Sequence, residues 1–152
     1  MRCSGKEEKT IKRLTLILLV ALVQVVGYSS AQQPVERKGV ASTVKLEGES
    51  FGYLSDLNGK YKLRVTEITF EPGGYVGEHN HTGPGIRFVA SGEVTLLEQG
   101  KTRIYKTGEY FYETGAITNS ASNKTSSPTV VITFEILPVD LKGGSAVPPK
   151  SQ

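Results

Sequence analysis

The residues of this chain best suited to chemistry are His79 and His81, its only two histidines, with Asn80 between them. Side chains alternate along an extended strand, so this spacing puts both imidazoles on one face. Tyr75 and Gly77 fall on that same face by count, and Glu78 and Asn80 on the other. Neutral imidazoles side by side can grip a divalent transition metal. A lone His-x-His also describes two ordinary surface histidines, so its surroundings must decide. The single cysteine, Cys3, stands at the extreme amino terminus, which excludes thiolate chemistry from the rest of the chain. No serine sits in a nucleophile elbow, and no glycine-rich loop opens a helix to cradle a phosphate.

The elements around the histidines read as strands and turns. Residues 62–70 are rich in β-branched and aromatic side chains, and Glu71-Pro72-Gly73-Gly74 is expected to stop them. Short runs follow at 75–81, 86–90, 93–98, 102–106, 110–113 and 129–137, separated by glycine-containing turns. Asn58-Gly59 signals a tight hairpin turn. No stretch after residue 31 has a helical period, so the pattern predicts an all-β, antiparallel sandwich or barrel in one domain. Tyr105, Tyr110, Phe111 and Tyr112 read as barrel packing. Asn80-His81-Thr82 and Asn123-Lys124-Thr125 match the glycosylation acceptor pattern, which is short enough to arise by chance.

Residues 73–92, GGYVGEHNHTGPGIRFVASG, resemble the first conserved motif of the cupin superfamily. Gly73, His79, His81 and Gly92 take its glycine and histidine positions. Gly108 to Asn123 keeps the spacing of the second motif, with Thr114, Ala116, Asn119 and Asn123 at its Pro, Gly, His and Asn positions. The resemblance covers residues 62–138 and implies a cupin-type jelly-roll β-barrel, often a homodimer. It also implies His79 and His81 as metal ligands, for iron, manganese, nickel, copper or zinc. Two departures weaken that site: Gly85 stands where the family has a ligand glutamate, and Asn119 where it has a third histidine. Arg87, two residues after Gly85, shares the face of the missing carboxylate and would bring a guanidinium suited to an anionic ligand into the barrel. The ligand-binding candidates are therefore Arg87, Asn119 and Tyr75. The expected function is binding of a small molecule, with an anion favoured by Arg87, beside a weakened two-histidine metal site. Two alternatives stay open: a metal-dependent enzyme such as a dioxygenase, and a non-catalytic assembly domain. Fold alone does not choose among them.

The first residues have a different character. Residues 1–13 are basic, 14–26 are apolar apart from Thr15 and Gln24, and Ser29-Ser30-Ala31 supplies small residues before Gln32. This is the pattern of a cleaved secretory signal peptide, and the apolar run is shorter than the about 20 residues a membrane span needs. The expected division is signal peptide 1–31, amino-terminal arm or edge segment 32–61, barrel core 62–138 and flexible tail 139–152. Export to the periplasm or medium follows, without stable membrane insertion after cleavage. The formal net charge of +3 resides in the leader, and the remainder is balanced, so no nucleic-acid partner is expected. Mass spectrometry of protein from its native host should find an amino terminus at or near Gln32. A product that keeps residues 14–26 and fractionates with membranes would overturn that processing.

Overall fold

The computed structural model describes residues 34–149; the leader expected at 1–31 lies outside them. Nine strands follow in order: β1 (Arg37–Gly48), β2 (Tyr61–His81), β3 (Gly85–Ser91), β4 (Glu93–Glu98), β5 (Lys101–Lys106), β6 (Tyr110–Glu113), β7 (Asn119–Ser122), β8 (Thr129–Pro138) and β9 (Ala146–Val147). Among the described residues the only helical element is one 3-10 turn, Ser55–Leu57. Neighbouring strands run β5-β4-β7-β2-β8-β3-β6, with β1 and β9 also on β2, and every pairing is antiparallel. The result is a nearly closed jelly-roll barrel.

The barrel is organised by β2. Its first half pairs with β8 from Tyr61↔Pro138 to Phe70↔Thr129, and its second half with β7 at Tyr75↔Ser122 and beyond. The expected stop at Glu71-Pro72-Gly73-Gly74 is therefore a bend at which one strand changes partner. Pro72 fits there because no ladder partner asks it for an N–H. Gly74 has no room for a side chain: a Cβ would lie 2.4 Å from the Gly39 carbonyl oxygen. Asn123 holds the bend. Its backbone exchanges hydrogen bonds with Gly73 and Gly74, and its side-chain nitrogen donates to the carbonyls of Phe70, Glu71 and Ser127.

Apolar residues from the inner faces form the core: Phe70, Val76, Val89, Val94, Leu96, Phe111 and Val131, with Val40, Ile68, Tyr105 and Ala121 packed against them. The long strand β8 gives the clearest alternation, with Thr129, Val131, Thr133, Glu135 and Leu137 all buried. β7, sequence Asn-Ser-Ala-Ser, has no strand signal of its own. It forms because β2 and β4 offer it backbone partners on both sides. Asn58-Gly59 closes the wider connection 49–60 rather than a tight hairpin, with the Asn58 side chain accepting from the Phe51 N–H. The tail expected to be flexible is ordered through Pro149, since β9 pairs with Asn80 and His81.

Asn123 is 1 % exposed and Asn80 2 %, and both amides donate hydrogen bonds, so neither has space for a glycan in the folded barrel. Replacing Asn123 by alanine strands three carbonyls at the bend. Unfolding by urea should show a loss of about 2–3 kcal/mol relative to the parent protein.

Candidate functional site

The barrel encloses a cavity of about 600 Å³. Its floor is apolar, from Ile68, Phe70, Val76, Val94, Phe111 and Val131, and its upper wall is charged. The ladders explain the division. One cross-strand row runs Glu47↔Arg64↔Glu135↔Gly85↔Glu113 over five strands. The row beneath it runs Thr66↔Thr133↔Arg87↔Phe111, and the next is Ile68↔Val131↔Val89. Residues two apart on each strand share the inner face, so charge gives way to hydroxyl and then to hydrocarbon.

Arg87 belongs to the second row but reaches into the first. Its guanidinium folds back over Gly85, so that a Cβ on Gly85 would lie 2.0 Å from Arg87 Nη1. Glycine is required there. Arg87 Nε meets Glu113 Oε2 at 2.7 Å and Nη2 meets Glu135 Oε1 at 3.0 Å. Arg87 is 3 % exposed, and its Nη1 has no hydrogen-bond partner among the described residues. Glu113 and Glu135, the strand neighbours of Gly85 on either side, thus bring carboxylates to the flanks of the position where the motif lacks one.

The histidines complete this cluster. His79 Nδ1 donates to the Gly77 carbonyl at 2.8 Å, leaving Nε2 as an acceptor. His81 Nδ1 lies 3.0 Å from Ser145 Oγ, which gives its own proton to Glu135 Oε1 at 2.6 Å, so Nδ1 is the donor. With both Nδ1 protons committed, the two Nε2 atoms face each other at 3.1 Å, and His81 Nε2 is also 3.2 Å from Glu113 Oε2. A proton on His81 Nε2 satisfies that arrangement. Burial would lower the His81 pKa, but its hydrogen bonds with Glu113 and Glu135 carry it above the ordinary value. Burial pushes His79 down to about 4. Burial opposes ionisation of Glu113, yet His81 and Arg87 hold it at about 2, and they keep Glu135 low as well.

The metal implied by the motif resemblance does not fit this donor set. His81 Nε2 lies 3.1 Å from His79 Nε2 and 3.2 Å from Glu113 Oε2. That Glu113 oxygen, however, is held by the Arg87 guanidinium at 2.7 Å. The two carboxylates are already engaged by Arg87 and the His81 imidazole, and a divalent ion would stand beside a fixed cation. Among the described residues no group of three or more His, Cys, Asp or Glu is disposed to hold a metal. In this structure the two histidines belong to a hydrogen-bonded, ion-paired cluster.

His79, His81 and Arg87 line the cavity together; Tyr75 and Asn119 do not. The even count from Tyr75 to His79 misleads because the ladder with β7 is irregular between Val76 and His79. Val76 and His79 both turn inward, an odd number of residues apart, and Tyr75 points out to bond the Glu36 carboxylate. Asn119 pairs with His79 across β2 and β7, buried, with its Oδ1 unpartnered among the described residues. Glu135, Ser145, Lys62 and Arg64 also line the cavity and went unread in the sequence. A signal existed for three of them, since Lys62 and Arg64 run in phase with Ile68 and Phe70, and Glu135 with Val131 and Leu137. Ser145 had none.

These couplings set a pH dependence. A folded His79 pKa of about 4 against 6.5 unfolded gives stability that is present above 6.5 and lost as pH falls toward 4. Glu113 adds a loss as pH falls from 4.5 toward 2. His81, raised, contributes fully below 6.5 and less as pH rises through its folded value. Urea midpoints should therefore peak near pH 6.5. His79→Gln should flatten the limb between 6.5 and 4, and His81→Gln the alkaline limb.

Comparison with known proteins agrees with this architecture. Residues 66–135 match the Cupin_2 family, described as a cupin domain. No curated protein matches the chain. Among solved structures, a cupin-like protein from Thermotoga maritima is 20 % identical, covering 76 % of this chain and 82 % of its own, with a TM-score of 0.53. The polyketide cyclase RemF from Streptomyces resistomycificus is 15 % identical over 71 % of this chain and 76 % of its own, also at 0.53. A cupin superfamily protein from Desulfitobacterium hafniense is 10 % identical over 67 % and 81 %, at 0.52. At these identities the likeness is one of fold. Residues 66–135 thus form a cupin domain, carried on a jelly-roll barrel whose fold these neighbours share.

Proposed function

We propose that this cupin is a binding protein that takes a small amphiphilic molecule into its barrel without a resident metal. The observation that carries the reading is the cavity itself: about 600 Å³, floored by hydrocarbon and walled by buried charged groups. Sites for small molecules have this size and this mixture of apolar lining with a few placed polar groups. The floor supplies affinity through burial, at roughly 25 cal/mol per Å² of apolar surface. Arg87, His79 and His81 bring buried polar groups to the same cavity. An oxygenase would need a metal that the donor set does not fit, so binding is the function that the residues support. The leader pattern makes this an exported receptor.

A thermal-shift panel of small aliphatic and aromatic acids, amides and alcohols, run with and without EDTA, tests the reading. Some members should raise the melting temperature equally in both conditions. Ala121→Leu, which fills the floor without touching a charged group, should abolish the shifts. Stabilisation that appears only with added metal, or none from any compound class, would overturn it.

A further inference from the structure

We propose that Lys62 and Arg64 form the acid-recognition end of this cavity, and that its ligand is a monocarboxylate with an apolar body. The inference rests on the receptor reading and names the ligand class.

The charges lining the cavity are unequally placed. Around Arg87 two carboxylates, Glu113 and Glu135, already meet one guanidinium and the imidazole of His81. Both flanks of that guanidinium are taken, at 2.7 and 3.0 Å, so an arriving acid would meet Glu113 and Glu135 there. The anion-selecting role expected of Arg87 therefore belongs elsewhere. On the β1–β2 wall the balance is different. Lys62 and Arg64 are 5 % and 6 % exposed and share a single carboxylate, Glu47, at 3.3 and 2.6 Å. Further donors go to neutral carbonyls of the carboxy-terminal segment, Lys62 Nζ to Leu141 at 3.1 Å and Arg64 Nη1 to Gly143 at 2.6 Å. Arg37 and Lys142 add positive charge at the exposed rim.

Two buried cations with one partner carboxylate leave a positive surplus in a poorly solvated place, which is costly until a counter-ion arrives. A carboxylate meets that need with charge-assisted hydrogen bonds from both side chains. The rest of the ligand is set by the same strand. Lys62, Arg64, Thr66, Ile68 and Phe70 share the inner face of β2 in that order. From Arg64 to Ile68 the wall descends about 13 Å at the usual strand rise. An acid seated at Lys62 and Arg64 thus sends its body past the hydroxyls of Thr66 and Thr133 to the apolar floor.

Titration calorimetry with octanoate and octanamide separates the possibilities. The wild-type protein should bind the acid about tenfold more tightly than the amide, the effect of roughly one charge-assisted hydrogen bond. Lys62→Met keeps the length of the side chain, removes a buried charge and should leave thermal stability intact or raised. It should cut octanoate affinity about tenfold while leaving octanamide unchanged. Glu47→Gln removes the competing carboxylate and should tighten octanoate binding, a gain that needs no folding control. Equal binding of acid and amide to the wild type overturns the acid seat and leaves the receptor intact. An acid preference unchanged in both variants overturns the assignment to Lys62 and Arg64. Failure of both compounds to bind overturns the monocarboxylate with an apolar body as the ligand, and the receptor reading then stands or falls by the wider thermal-shift panel.

Discussion

The site depends on one guanidinium lying over one glycine. Arg87 reaches back along β3 to stand above Gly85, between a carboxylate from β6 and another from β8. Each partner constrains the others. A side chain at 85 would crowd the guanidinium, and without it the buried carboxylates of Glu113 and Glu135 would be left to His81 and Ser145, a costly arrangement. The imidazole of His81 closes the arrangement, joined to Glu113 directly and to Glu135 through Ser145. The ion pairs are structural in origin, yet they decide the chemistry, because they occupy with a fixed cation the place where this fold can hold a metal.

That constraint extends to the chain terminus. Ser145 is held by Glu135, and the next residues pair with Asn80 and His81, so the carboxy-terminal segment closes over the cavity as β9. Lys62 and Arg64 fasten the preceding residues by their carbonyls. A segment whose composition alone suggests a loose tail becomes a wall because buried charged groups need acceptors and it supplies them. At the opposite end of the barrel, Asn123 serves a similar need for the bent strand β2, satisfying carbonyls that no ladder reaches. The barrel is thus stitched at both ends by polar groups, around a core of modest size.

Much of this was legible in the residues. Runs rich in β-branched and aromatic residues between glycine-containing turns marked most of the strands, and the resemblance of residues 73–92 and 108–123 to the cupin motifs implied the jelly roll. The departures at Gly85 and Asn119 were visible as departures. Their meaning was not, because Glu113 and Glu135 are distant in sequence and reach Gly85 only through the register of β3 with β6 and β8. Tyr75 was misplaced for a related reason: a one-residue irregularity reverses the face of a strand, and no local residue pattern announced it between Val76 and His79.

The sequence by itself determined which side chains each strand could present inward: the histidine pair, Arg87, and the polar-to-apolar succession from Lys62 to Phe70. Alternation is a property of the backbone and needs no partner strand. Only the tertiary structure decided what those side chains meet. Pairing register joins residues far apart in the chain, and it set Glu135 and Glu113 on either side of Gly85, Glu47 beside Arg64, and Ser145 against His81. Charge compensation in a low-dielectric interior acts over a few ångströms, so the neighbours, and not the residue types alone, set the His-x-His pair within an ion-paired pocket.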